Sequence, residues 1–464
     1  MKGDFSRDTF NLKKNFRRVL MQQGRVQLDA DWNEQSAILL HYLQTLAADL
    51  IGPHAGPGEG FSLAFNEGKT DLTIGAGRYY VDGILCENEE LFNGNPVSYF
   101  NQPHLRFRDG EDKTLNLNAP FFVYLDVWER HVTCFEDESL CEVALGGIDT
   151  TTRTQVIWQL KLRGLKSSPS NARFKCENLQ MPGASNALLI ADVQSGEFDG
   201  DPCNIAPGSR YRGAENQLYR VEIHTGNVNE LGEVDGSITP TFKWSRENGS
   251  VVFPIISITR SGATTEIRLA HLGRDNKFTL REGDWVEIVD DNYTLNNSAG
   301  RLLKVAVIDR DEMSVTVNGT TEIRADAGSK NHALLRRWDQ KPGNSDDRDL
   351  VLGEDNAANI VEGTGNNNWL MLEDGIRIQF VKNDAGSSAR SRYHTGDYWL
   401  IPARTATGDI EWEQDGNGKP TRQPPSGIQH HYAPLGIIEN GALTDCRRKL
   451  NPISKLNPII GRAK

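Results

Sequence analysis

A chain of 464 residues can bury several hydrophobic cores, and at about 100 to 200 residues per domain it reads as two to four units. Charged residues at 25% and hydrophobic residues at 38% are ordinary for a folded protein, while 44 glycines and 19 prolines require many turns. The net charge of −12 argues against a general nucleic-acid binder, which needs a surplus of Lys and Arg, and no apolar run approaches the ~20 residues that cross a bilayer.

The first 60 residues read as an arm and a helical anchor. FSRDTFNLKKNFRRVLMQQGRVQLDADWNEQ gathers Lys13, Lys14, Arg17, Arg18 and Arg25 in a turn-rich stretch. A cluster this small suits an acidic protein surface better than DNA. Asp31, with Glu34 three residues on, has the capping-box pattern, so a helix is predicted from near Trp32 to a stop at Gly52 and Pro53. Leu39, Leu43, Leu46 and Leu50 recur at spacings of 4, 3 and 4, and Trp32 lies one heptad ahead of Leu39. Such a stripe is made for burial. It fits either a helix packed on its own domain or one that docks to other chains. Twenty residues at ~1.5 Å each span ~30 Å, enough for a bundle of copies or an arm laid on a larger body.

Past Pro53, HAGPGEGFSLAF reads as a Gly/Pro linker, and a first β-domain is predicted over 61–165. In DLTIGAGRYYVDGILCENEE, Leu72 and Ile74, then Tyr79 and Val81, alternate between turn signals at Gly75, Gly77, Asp82 and Gly83, the pattern of a β-hairpin. FFVYLDVWERHVTCFED and TQVIWQLKL supply further strands. A turn or short helix ending at Gly146 and Gly147 separates them. Residues 166–212 read as an irregular insertion or linker. A second β-domain over 213–340 and a third β-region over 341–445 follow from short strands with Gly, Asn and Asp turns, ahead of a tail over 446–464. The predicted class is mainly β, an N-terminal α-helical anchor followed by two or more β-sandwich or barrel-like domains. One internal echo stands out: EGDWVEIVD at 282–290 and TGDYWLIPA at 395–403 both place Gly-Asp-aromatic at a strand entry. A turn Asp bonding backbone amides ahead of a buried aromatic accounts for it, and duplicated modules are the other reading.

The N-terminus lacks the apolar core of a secretion signal, so synthesis in the cytosol is expected, with release by lysis or within a particle leaving no trace in the sequence. The six cysteines, Cys86, Cys134, Cys141, Cys176, Cys203 and Cys446, form no C-x-x-C pair. Buried free thiols are the expectation.

Chemistry is sparse. Asp29, Asp31 and Glu34 at a helix start are explained by capping and the helix dipole rather than by metal binding. His430 and His431 are adjacent and in a strand would point to opposite faces, and Asp397 lies near His394. SDDRDLVLGEDN, with Asp346, Asp347, Asp349, Glu354 and Asp355, lacks EF-hand spacing and reads as a solvated acidic loop. Asp126, Glu129 and His131 lie together, yet alternation separates the two carboxylates, whereas a glycosidase needs them facing each other. No nucleophile elbow, Walker loop or dinucleotide fingerprint occurs. No catalytic, cofactor-binding or metal residues are therefore assigned. The tryptophans Trp128, Trp158, Trp244, Trp285, Trp338, Trp369 and Trp399 fall within strand patterns and are expected in cores, with carbohydrate stacking or subunit contacts as the other use.

The opening FSRDTF to ADWNEQ, with LDVWERHV, EVALGGIDTTTRTQVIW, NQLYRVEIH, FKWSRENGS and GDYWLIPART, resembles an uncharacterised bacterial domain family found with phage-tail-like contractile injection system genes. The first part is also similar to the N-terminal region of phage tail and baseplate proteins. There Arg25, Leu28, Asp31, Asn33 and Glu34 match a helix start, and Gly77, Arg78, Tyr80, Val81 and Gly83 match a following hairpin. The resemblance implies a baseplate-associated structural part such as a shell, cage, fibre or plug element, with no named activity and no cofactor. Its partners would be other particle subunits and copies of itself in trimer- or hexamer-related symmetry, without nucleic acid or membrane insertion. Arg17, Arg18, Arg25, Trp32, Leu39, Leu43, Leu46 and Leu50 are the predicted docking surface. A carried effector or glycan hydrolase and a glycan-binding surface module are the alternatives.

Overall fold

The computed structural model describes residues 1–88, 95–105, 114–115, 120–165, 174–193, 210–229, 232–325, 331–340, 350–363, 368–383 and 390–450. The protein is mainly β, with one long helix, α1 (Asp29–Ile51), near its start, as its composition and periodicities predict. Its chain folds into two compact units assembled from alternating stretches. Met1–Asp8, His131–Arg153 and Pro182–Ile428 form one; Thr9–Arg130, Thr154–Met181 and Gln429–Lys464 form the other.

The unit that contains α1 is built on two four-stranded sheets. One runs in the order Lys449–Leu450, His54–Pro57, Gly77–Val81, Ile84–Asn88, and the other Arg153–Gly164, Phe121–Val132, His431–Glu439, Ala442–Asp445. Alternation turns Tyr79, Val81, Val123, Leu125, Val127 and Leu160 into a common core. The predicted hairpin forms, turning at Asp82 (φ 47) and Gly83 (φ 80) as an Asp-Gly pair favours. Gly83 meets a second demand. A Cβ there would lie 2.1 Å from the Gln44 carbonyl oxygen, because the backbone of α1 rests on this turn.

The stretch read as a Gly/Pro linker is instead structured. His54–Pro57 is a strand, with His54 and Ala55 paired to Val81 and Tyr80. Its glycines are there for closeness rather than flexibility: a Cβ on Gly56 would lie 2.5 Å from the Tyr79 ring, and one on Gly60 2.5 Å from the Arg78 carbonyl oxygen. The cysteine expectation is corrected as well. Cys176 and Cys446 are joined in a disulfide, their Cα atoms 5.6 Å apart, while Cys86 and Cys134 are buried thiols and Cys141 a half-buried one; Cys203 lies outside the described residues.

The second unit combines a sandwich and a barrel. A five-stranded sheet (Ala358–Asn359, Thr241–Ser245, Gln217–Thr225, Tyr398–Arg404, Asp409–Ile410) faces a three-stranded one (Leu188–Val193, Ile376–Val381, Leu370–Met371) over Tyr219, Phe242, Trp244, Phe380 and Trp399. Strand Leu188–Val193 lies within 166–212, the segment read as irregular. The strands Val252–Ser261, Thr264–Leu269, Ser314–Asn318, Leu302–Asp309, Trp285–Val289 and Leu334–Trp338 close into a barrel filled by Phe253, Ile267, Leu303, Val315 and Leu335. Strands 217–245, read in one block with those of 251–338, thus share a sheet with strands beyond residue 357.

Candidate functional site

The first turn of α1 differs from its predicted start. The helix begins at Asp29, three residues earlier, and Asp31 sits inside the first turn, where its Oδ2 accepts from the Leu28 N–H at 3.4 Å. Asp31 therefore closes the turn from within rather than capping it from outside. Asp29 and Asp31 both lie where the helix dipole favours negative charge. At the other end Gly52 (φ 87) donates its N–H to the Ala48 carbonyl at 2.8 Å and stops the helix, as predicted.

Burial along α1 separates two faces. Ala30 and Ile38 are buried, and Glu34, Ala37, Gln44, Ala48 and Ile51 are half-buried. These lie on one side of the helix, so an inward face of mixed size, with Ala30 and Ile38 the most buried, brings the helix backbone to Gly83. The leucine stripe lies elsewhere. Trp32 is 76% exposed, Leu39 55%, Leu43 60%, Leu46 43% and Leu50 78%. With Leu43 and Leu50 at heptad position a, Trp32, Leu39 and Leu46 fall at d, and at 100° per residue this seam points about 150° away from that inward face. Its one polar member, Ser36 at a, bonds back to the Trp32 carbonyl at 3.1 Å. Of the two readings left open for the helix, the inward one applies to the face of Ala30 and Ile38 and not to the leucines.

The arm lies along α1 without becoming a strand. The Thr9 hydroxyl donates to Glu34 Oε2 at 2.5 Å, the Val19 N–H donates to Gln35 Oε1 at 2.9 Å, and Phe10 and His41 have ring centroids 5.8 Å apart. Arg17, Arg18 and Arg25 are exposed, and so are Phe16, Leu20, Met21 and Val26. The apolar members of this arm were not part of the predicted surface. They lack periodicity, which is the only signal that marks an apolar residue in sequence as purposeful.

The residues weighed for chemistry are placed in structural roles. Asp126 is buried, with Lys161 Nζ at 2.6 Å and His430 Nδ1 at 2.7 Å. Burial raises its carboxyl, and the hydrogen bonds and electrostatic pull of His430 and Lys161 more than offset this, leaving it below its ordinary value. Glu129 lies on the other face of the strand, its carboxyl raised by burial and partly relieved by His431. His430 and His431 do point apart, the second towards Asp82 Oδ2 at 2.9 Å. His131 is pushed down to about 3 by burial and by the positive charge of Arg336, Arg220 and Lys2. Asp397 Oδ2 accepts the backbone N–H of His394, and Asp284 Oδ2 likewise that of Arg281, in both cases three residues back and beside a glycine at positive φ. The Gly-Asp-aromatic echo is this shared turn. Of the acidic loop, Asp346, Asp347 and Asp349 lie outside the described residues, and Asp355 accepts from the Thr225 and Thr241 hydroxyls. Among the described residues no three His, Cys, Asp or Glu converge as a metal site would require.

One polar cluster is absent from the predicted sites. Glu222 is fully buried with Arg220 Nε at 2.5 Å, Lys2 Nζ at 2.9 Å and Lys243 Nζ at 3.5 Å, and Lys243 continues to Glu287 at 2.6 Å. Burial works against the Glu222 carboxylate, yet its three cations hold it well below the usual range. The signal was present in YRVEIHT, where Arg220, Glu222 and His224 share one strand face. All three residues are buried, with Lys2 on Glu222, the Tyr398 ring under Arg220 and Asp355 beside His224. Every charge in this cluster is engaged by another, which marks it as a structural tie.

Trp128, Trp158, Trp244, Trp285, Trp338 and Trp399 are buried as expected, and Trp369 is half-buried under the Arg377 guanidinium, 4.4 Å from its ring centroid. Trp32 is the outward exception, and it belongs to the seam. No helix is long and apolar enough to cross a membrane among the described residues. No curated protein and no solved structure matches the chain. A single family covers it from end to end in two overlapping segments, 1–181 and 176–464, and the chain belongs to that family, the family of unknown function DUF6519.

Proposed function

We propose that this protein is a structural component of a multi-chain particle, held in place by the arm and the outward seam of α1. The particle we have in mind is of the phage-tail-like contractile injection type that the N-terminal motifs resemble, and the position within it is at or around the baseplate. One observation supports the docking role above the others: α1 turns Ala30 and Ile38 inward and leaves Trp32 and four heptad-spaced leucines in solvent. Covering each leucine supplies about 1.5–3 kcal/mol, so the stripe is a large reserve of free energy that the chain alone does not use. Arg17, Arg18 and Arg25 then fix register on an acidic neighbour. The partners are other particle subunits and copies of this chain in trimer- or hexamer-related symmetry, assembled after synthesis in the cytosol.

The double variant Leu43→Asp/Leu46→Asp tests this. It is expected to fold with wild-type circular dichroism and melting, because both side chains are exposed, and to be missing from purified particles. Normal incorporation of the variant would overturn the docking role. The alternative of a carried glycan hydrolase gains nothing from the strand Phe121–Val132, where Asp126 and Glu129 face opposite sides and Asp126 is occupied by His430 and Lys161.

A further inference from the structure

One exposed element has no part in that reading. After the strand Phe121–Val132 the chain extends a tongue: a turn at Glu138–Leu140, a two-residue ladder pairing Cys141 with Asp149 and Glu142 with Ile148, and a tip formed by the 3-10 turn Val143–Leu145. The tip is well fastened. Glu142 Oε1 accepts the Ala144 N–H at 2.9 Å, and Gly146 (φ 87) and Gly147 (φ 84) turn the chain back with their N–H groups on the Val143 and Glu142 carbonyls. This hydrogen-bonded hairpin nevertheless holds its apolar side chains in water: Val143 is 86% exposed, Leu145 59% and Ile148 57%.

The rim of the tongue decides what covers it. Asp137, Glu138, Glu142 and Asp149 are exposed, and residues 133–152 contain no Lys or Arg. A rim of this sign repels anionic bilayers and nucleic-acid phosphates. It complements a surface that is both basic and apolar. The chain carries such a surface: residues 9–28 contain no Asp or Glu, hold five Lys and Arg, and expose Phe16, Leu20 and Met21 between them.

We propose that the tongue tip of one copy docks on the arm of a second copy. Val143, Leu145 and Ile148 pack against Phe16, Leu20 and Met21, and the acidic rim faces Arg17, Arg18 and Arg25. Because the two patches differ, each copy offers one of each, so the contact repeats around a ring or along a row or is exchanged reciprocally between two copies. The proposal rests on the reading of this chain as an assembly component and shares Arg17, Arg18 and Arg25 with it, but the tongue residues belong to neither the arm nor the leucine seam, so Glu142→Lys/Asp149→Lys and the seam variant can fail separately.

Charge exchange on the full-length chain tests it by sedimentation velocity. Glu142→Lys/Asp149→Lys and Arg17→Glu/Arg18→Glu are each expected to weaken self-association at least about tenfold while leaving melting unchanged. An equimolar mixture of the two variants is expected to associate again, because each reversed tongue then meets a reversed arm. A mixture that stays monomeric, variants that associate as wild type does, or a wild-type chain that is monomeric at every concentration would overturn the contact. Leu43→Asp/Leu46→Asp separates the two proposals. If it is monomeric while the charge variants associate normally, the tongue contact fails and the seam stands; if it associates while the charge variants do not, the tongue contact stands.

Discussion

Asp284 and Asp397 show how one side chain can serve as both turn and liability. Each carboxylate closes a turn by accepting a backbone N–H three residues back, and each is followed by a buried aromatic, Trp285 or Tyr398. At Asp397 burial exceeds the relief from the Ser185 and His394 hydrogen bonds and pushes the carboxyl up to about 7, where Asp284 is raised less. A carboxyl raised in the folded state binds its proton more tightly there than in the unfolded chain. Its contribution is therefore complete below the unfolded value of 3.8 and is lost as pH climbs through about 7. Asp397→Asn keeps an acceptor oxygen for the His394 N–H and removes the titration. Between pH 4 and pH 8 its unfolding free energy is expected to gain on that of the wild type by roughly 1–4 kcal/mol, at 1.36 kcal/mol per pKa unit. Parallel curves from urea unfolding at the two pH values would contradict this assignment. The Glu222 cluster has the opposite sign, because its carboxylate is held low and its stabilisation fades only as pH falls through that group's own titration.

At the scale of elements, the helix and hairpin were legible because their signals are periodic, and the errors arose where small residues did the work. The leucine spacing of α1 located the seam. Which face turns inward was hidden, because the inward face mixes Ala30, Ala37 and Ala48 with Ile38 and Ile51 and so carries fewer large apolar residues than the exposed side. Gly56, Gly60 and Gly83 mislead in a related way: as sequence they signal flexibility or a turn, whereas in the fold each admits a neighbouring backbone or ring at close range. Gly83→Ala makes this measurable. A methyl at φ 80 is strained and would also meet the Gln44 carbonyl, so the helix must lift from the hairpin or the turn must open. A loss of about 1–3 kcal/mol is expected, with faster amide exchange concentrated in α1. Wild-type exchange throughout the helix would show that the helix does not depend on this contact. The charged face of Arg220, Glu222 and His224 was legible as a pattern but not as a location, since period-2 alternation states that two faces differ and not which one meets water.

At the scale of the molecule, consecutive domains were the natural expectation, and the chain instead crosses between its two units wherever one of six alternating stretches ends. Strand pairing over such separations leaves no local mark in sequence. The Cys176–Cys446 disulfide is the covalent counterpart of this topology: it links partners 270 residues apart, both in the unit of α1, and joins the stretch Thr154–Met181 to the stretch that begins at Gln429. No spacing rule pairs cysteines so distant. The residues enclosed by the bond include Pro182–Ile428, nearly all of the other unit's strands, yet neither sulfur belongs to that unit. Opening the bond therefore frees two stretches of one unit in the unfolded chain and leaves the packing of the sandwich and barrel untouched. Cys176→Ser and Cys446→Ser should each lower the stability of the α1 unit by about 2–5 kcal/mol, and in calorimetry the transition of that unit should move down while the transition of the other stays in place. Full reduction of the wild type should reproduce the shift, and neither serine variant should respond further to reductant. An equal displacement of both transitions would mean that the units unfold as one cooperative body, and no displacement would mean that the sheet in which Phe121–Val132 lies between Arg153–Gly164 and His431–Glu439 already fixes the two stretches without the bond.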